Sequence, residues 1–305
     1  MNALTEAQER KYIDNLIASD KKETGQANDE FQRALELILS HLNYYYAQYG
    51  SNGVLEYVSL LKRNSTDDVN RLSRFRNMAK LSQNKDAQKR DRVYQAQSKV
   101  DRYGAINALI GWAISGASLA TINQLSKTLN SDYANNINRQ IQFANQYVKD
   151  NPDLLVKKSG KTQKDLSDMR DSIVNGNVMG SKWQNIIWLR NDELTSQIQG
   201  MVSKSLRSGM TVKDINDMAG KPNDPDPGSA SDAIRIQKGY IDRIIVTQRA
   251  AVLASLTTLV FKSKGIDRYQ WVTQPGACSL CLSIESGNPY FMSDPNAPVI
   301  PDDSH

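Results

Sequence analysis

"GAINALIGWAISGASLATINQLS", Gly104 to Ser126, lies between Arg102 and Lys127 without a single charged residue. It is long enough to raise the question of a membrane span. Its polar content argues otherwise, because Asn107, Ser115, Ser118, Thr121, Asn123 and Gln124 would all need partners in lipid. The stretch is therefore expected to be a buried helix whose small residues permit a tight crossing, and no stable membrane span is expected. All nine prolines stand at or beyond Pro152, so the first 151 residues lack the strongest helix breaker and read as long helices.

Upstream, "TEAQ" at Thr5–Gln8 has the form of a capping box, with Ile13 and Ile17 on one face behind it. Phe31, Leu35, Ile38, Leu42 and Tyr45 recur at three- and four-residue steps and mark a second helix, closed by Gly50 and Gly53. "STDD" at Ser65 can cap a third, with Val69, Leu72 and Phe75 as a narrow apolar seam.

Downstream, Pro, Gly and Lys interrupt the pattern from Asn151 to Asp165, a candidate boundary. Trp183, Ile187, Leu194, Ile198 and Met201 then form a helical stripe reaching Gly209, and Thr211 with Asp214 can cap a short helix that ends at Gly220. "GKPNDPDPGSASD" packs three prolines and two glycines into an exposed loop or hinge. A long helix is expected from Ala233 to Lys264, stopped by Gly265, and "RYQWVT" alternates as a short strand. The expected fold is mainly α: an elongated helical N-terminal half, then a helical domain with a small α+β C-terminal knuckle. The expected segments are a helical docking region at 1–150, a helix-turn-helix part at 151–220, a loop at 221–232, and helix, strand and knuckle at 233–305.

The 305 residues carry a net charge of +5, with a pI near 9.0 and a mean hydropathy of −0.55. From Lys62 to Arg102 twelve Lys or Arg stand against five Asp, a local balance of +7, so the rest of the chain sums to −2. Concentrated charge of this kind offers a surface to phosphates, although a solvated helix face is the commoner origin. Arg71, Arg74, Lys89, Arg90 and Arg92 are the candidate DNA contacts. "HLNYYYAQY" spaces its tyrosines helically, as for packing between helices, and His41 lies beside an apolar stripe as a packing or surface residue.

Cys278 and Cys281 are the only cysteines, and the N-terminus lacks the apolar core of a signal peptide. A CxxC can hold zinc, stand as a reduced structural pair, or exchange thiols, and the residues leave all three open. Thioredoxin-like chemistry needs alternating βαβ units, which the helical pattern does not offer. A zinc deaminase needs a His-x-Glu motif that the chain lacks, and no phosphate-binding glycine loop occurs. With two histidines in all, no hydrolytic triad assembles, and no enzymatic activity is expected.

The second half resembles the Mu F-like minor head proteins of tailed bacteriophages. The matching residues are Trp183 and Trp188, Gly209 and Thr211, Arg243 and Thr247, Trp271, Cys278 and Cys281, Gly287 and Phe291, and His305, over Lys182 to His305. Gln248 departs from the glutamate frequent in that family, and further cysteines are expected where the sequence stops at His305. The resemblance implies a virion component joined to the head at or near the portal vertex, assembled in the host cytoplasm. Its implied partners are the portal protein, the major capsid protein and packaged DNA, with a part in DNA packaging or ejection. It also implies a structural Zn²⁺ knuckle through Cys278, Cys281, His305 and a ligand beyond the given sequence. The rival expectation is a cytosolic zinc-knuckle DNA-binding protein.

Overall fold

A computed structural model describes residues 6–155, 168–178, 180–221, 224–271, 273 and 276–298. The fold is mainly α, as expected. In chain order the helices are α1 (Glu6–Tyr49), α2 (Tyr57–Leu60), α3 (Thr66–Ala79), α4 (Lys85–Ser98), α5 (Arg102–Asp150), α6 (Arg170–Val174), α7 (Trp183–Arg207), α8 (Val212–Ala219), α9 (Ala230–Lys264) and α10 (Ser279–Ser286). Strands β1 (Asn177–Val178) and β2 (Ser181–Lys182) pair antiparallel, as do β3 (Arg268–Tyr269) and β4 (Tyr290–Phe291).

Caps set several of these ends where the sequence places them. Ser65 Oγ accepts from Asp68 N at 3.1 Å while Asp68 returns a carboxylate to Ser65 N at 2.8 Å. Thr211 and Asp214 make the same reciprocal box for α8. Gly265, at φ 78°, takes the left-handed turn that ends α9, and Ile266 N donates back to Phe261 O at 3.0 Å. The start of α9 comes three residues earlier than expected: Ser229 Oγ accepts from Asp232 N at 3.1 Å, a cap within "GSASD". The two expected N-terminal helices are one continuous α1, which passes through Gly25. A single glycine costs about 1 kcal/mol in a helix, less than the flanking buried stripe returns. Thr5 lies outside the described residues.

The chain forms two compact units, each built from non-consecutive segments. One contains residues 20–125 and 184–244. Its core includes the anticipated α1 stripe (Phe31, Leu35, Ile38, Leu42, Tyr45) and Ile106, Leu109, Ile110 and Trp112 of α5, all at most 4% exposed. The apolar window of α5 is 78% buried, and several of its polar residues find protein partners. Ser118 donates to Asn191 Oδ1 at 3.0 Å, Thr121 to Ala117 O at 3.0 Å, and Gln124 to Glu23 Oε2 at 2.7 Å. Val69, expected in the α3 seam, is 51% exposed, because Asp68 beside it turns inward as the cap.

The small residues of α5 do admit close neighbours. A Cβ at Gly111 would stand 2.3 Å from the Tyr94 ring, and one at Gly116 would stand 3.3 Å from Ala79 Cα. Gly111→Ala gains about 1 kcal/mol of helix propensity. It also forces aside a buried ring that packs edge-on to Trp112 at 6.5 Å. Overpacking of this kind costs about 1–3 kcal/mol, so thermal unfolding should show a net loss of stability and disturbed Trp112 fluorescence.

The other unit contains residues 1–19, 126–183 and 245–305. Its core is lined by Leu129, Tyr133, Ala144, Val174, Trp183, Val252, Leu256 and Val260. Val174 O accepts from both Trp183 Nε1, at 3.1 Å, and Gln248 Nε2, at 3.2 Å. Phe143 stacks on Phe261 at 5.7 Å, and a buried Asp132–Arg249 pair joins α5 to α9 at 2.7 Å.

Candidate functional site

The basic segment becomes α3, a short 3₁₀ turn at Leu81–Gln83, and α4. On α4 the buried face is Ala87, Asp91 and Tyr94, at i, i+4 and i+7. Asp91 is a hub: Arg76 donates through Nε and Nη2 at 2.9 Å each, Trp112 Nε1 at 2.9 Å, and Gln95 Nε2 at 2.6 Å. Burial alone would raise the Asp91 carboxyl pKa, but these donors outweigh it and hold it below the usual range.

The five candidate DNA contacts separate into two groups. Arg90 donates Nε and Nη2 to Asp192 at 2.6 and 2.5 Å, and its guanidinium lies 4.5 Å from the Trp188 ring centroid. Arg71 donates Nε to His41 Nδ1 at 3.0 Å. Arg74, Lys89 and Arg92 are exposed, and the Lys89 partner is an i, i+3 pair with Asp86 at 2.7 Å. An exposed pair of this type contributes about 0.3–0.5 kcal/mol, so Lys89 is readily released to another anion.

Two cations outside that set complete a surface. Lys85, Lys89 and Arg92 fall at i, i+4 and i+7 of α4, Lys99 follows one further heptad on at its C-cap, and all four are exposed. At 1.5 Å per residue the stripe is about 21 Å long. Its heptad spacing is visible in the sequence once charge is sorted by helical face and not merely counted.

The CxxC lies in the other unit. Cys278 is the N-cap residue of α10 and Cys281 sits in its first turn; both are thiols. The Cys281 N–H, the Cys281 thiol and the Leu280 N–H donate to the Cys278 sulfur, and together they bring its pKa below the ordinary thiol value. Two sulfurs within hydrogen-bond reach fit two positions of a tetrahedral zinc site. Among the described residues, no group of three His, Cys, Asp or Glu could hold a metal, and His305 lies outside them.

Protein contacts already tie the knuckle together. Asn288 Oδ1 accepts from Trp271 N at 2.6 Å while Asn288 Nδ2 donates to Trp271 O at 2.7 Å. Thr273 Oγ1 donates to Glu285 at 2.5 Å, which helps hold the Glu285 carboxyl below its usual pKa. Tyr290 OH donates to Ile284 O at 2.5 Å, and a Cβ at Gly287 would stand 2.2 Å from that hydroxyl. Gly287 is thus needed for room. These bonds anchor Trp271, Thr273, Glu285, Asn288 and Tyr290, and Tyr269 stacks on Tyr290 at 5.7 Å.

Fold and sites define a mainly helical protein of two units, with an exposed basic helix in one and a dithiol at a helix start in the other. Comparison with known proteins gives no match to a family model, a curated protein or a solved structure.

Proposed function

We propose that the chain is a structural minor head protein of a tailed phage, joined to the head at or near the portal, with α4 facing packaged DNA. The supporting observation is the ordered series of matching residues from Trp183 through Gly209, Thr211 and Trp271 to Cys278, Cys281 and Phe291. The α4 stripe adds a cationic surface suited to phosphates, since charge without base-reading geometry gives sequence-independent contact. Portal protein, and beyond it the major capsid protein, are the proposed partners, and the role in packaging or ejection is mechanical and not catalytic. Coexpression with the portal and recovery of the complex by pull-down tests this. Absence from both portal complexes and purified particles would reject it.

The DNA contact has its own readout. Lys85→Gln, Lys89→Gln, Arg92→Gln and Lys99→Gln together should reduce the slope of log affinity against log salt by about 3–4, because each phosphate contact contributes about 0.9. Arg90 is kept out of this set because its bonds to Asp192 make it part of the packing. An unchanged slope would remove α4 from the interface.

The dithiol favours a second reading, a cytosolic zinc-knuckle DNA-binding protein. A footprint on a defined palindromic site would support it, whereas recovery in particles supports the first. Either reading has Cys278 and Cys281 as two thiolate ligands of a structural Zn²⁺, a role that stabilises a turn and supplies no chemistry. Elemental analysis of a form that extends beyond His305 and supplies the remaining ligand should find zinc and lose it in Cys281→Ser, whereas residues 1–305 should bind it weakly; equal metal in the extended form and its Cys281→Ser variant would leave the pair as reduced thiols only.

A further inference from the structure

Between α1 and α3 lies a cleft of about 280 Å³ lined by Tyr44, Gln48, Asp67, Asn70, Arg71 and Arg74. Tyr44 and Gln48 are i, i+4 on α1, and the other four are i, i+3, i+4 and i+7 on α3, so each helix presents one face to it. The volume is near the lower end of small-ligand pockets and suits a compact polar group.

Arg71 is held in place on three sides. Its Nε donates to His41 Nδ1 at 3.0 Å, and its guanidinium lies 4.6 Å from the Tyr44 ring centroid and 5.4 Å from that of Phe75. His41 is fully buried and packs against Tyr45 and Phe75. Burial first, and the Arg71 charge second, lower its pKa to about 3. It therefore stays neutral and presents Nδ1 as an acceptor at neutral pH. The Nη groups of Arg71 have no hydrogen-bond partner among the described residues, and Arg74 has no ion pair there. A fixed guanidinium fork with open terminal donors is the group that best matches a phosphate.

We propose that this cleft seats a backbone phosphate of a nucleic-acid strand, with Arg71 and Arg74 as its ligands and His41 as the residue that positions Arg71. The proposal rests on the DNA-contact reading and adds to it a geometric site distinct from the diffuse charge of α4. Asp67 selects among phosphates. With Arg71 and Arg74 it leaves a net charge of +1 on the cleft, which matches a singly charged phosphodiester better than a free phosphate approaching two charges at neutral pH.

Fluorescence anisotropy with a labelled duplex, at fixed salt, tests the full chain. Arg71→Gln and Arg71→Lys should each weaken binding about five- to tenfold, because lysine keeps the charge but lacks the fork. His41→Gln keeps an acceptor and should restore most of the affinity that His41→Leu loses, with both variants folded by circular dichroism. Should an Arg71 variant fail to fold, Arg74→Gln carries the same test and should weaken binding at least threefold. Wild-type affinity in Arg71→Lys, or in Arg74→Gln, would overturn the seat; weakened binding in the α4 variants would then leave the DNA reading standing. No duplex binding by the wild type would overturn both. Dimethyl phosphate should compete better than inorganic phosphate, and the reverse order would assign the cleft to free phosphate and overturn the nucleic-acid occupant.

Discussion

Replacing Arg249 by Met should lower the stability of its unit by about 3–5 kcal/mol, the usual cost of leaving one charge of a buried pair uncompensated. The Arg249 and Asp132 side chains are 4% and 12% exposed, and Arg249 donates Nε and Nη2 to the two carboxylate oxygens at 2.7 and 3.1 Å. Asp132→Ala should cost a similar amount, because the guanidinium would then be buried without its counter-ion. The double variant Asp132→Leu with Arg249→Met should recover most of the loss, since an apolar pair needs no desolvated partner. Urea unfolding of the three variants closes the cycle. Additive losses in the double variant would show that the two residues act separately and not as a pair.

Acidification should produce the second large effect. The folded chain holds His41 neutral down to about pH 3, while an unfolded histidine titrates near 6.5. Between these values the unfolded state binds a proton that the folded state refuses, so stability rises with pH through this window. The contribution is fully present above about pH 6.5 and is lost as the pH falls toward 3. From pH 7 to pH 4 the loss is about 3 kcal/mol, an order-of-magnitude figure from the pKa difference. Desolvation is the main cause, the neighbouring Arg71 charge adds to it, and Asp68 opposes it. His41→Gln should flatten stability against pH over this range relative to wild type. Carboxylates common to both proteins cancel in the comparison, and parallel curves would place the acid sensitivity elsewhere.

Much of the fold was legible because its signals are local. The Ser65–Asp68 and Thr211–Asp214 boxes, the Gly265 stop and the three- and four-residue apolar steps of α1 and α7 each act within a turn or two, and the structure places helix ends and buried faces accordingly. Local signals misled where tertiary burial could override them. The two helices expected in the N-terminal stretch run on as one α1, and among the described residues the strand expected over "RYQWVT" covers Arg268 and Tyr269 alone, because Trp271 spends its backbone N–H and C=O on the Asn288 side chain in place of a strand partner.

The sequence by itself determined the helical class, the Ser65 and Thr211 caps, the burial of the uncharged stretch and the concentration of basic charge between Lys62 and Arg102. It could not apportion that charge. Arg90 binds Asp192 across 102 positions and Arg249 binds Asp132 across 117; Lys85, Lys89, Arg92 and Lys99 stay at the surface. Chain separation carries no information about which carboxylate a cation will meet, because ion pairing follows distance in space and the desolvation each group undergoes on burial. Local sequence determined where helices form; only tertiary packing decided which arginines are structural and which cations remain available to a partner.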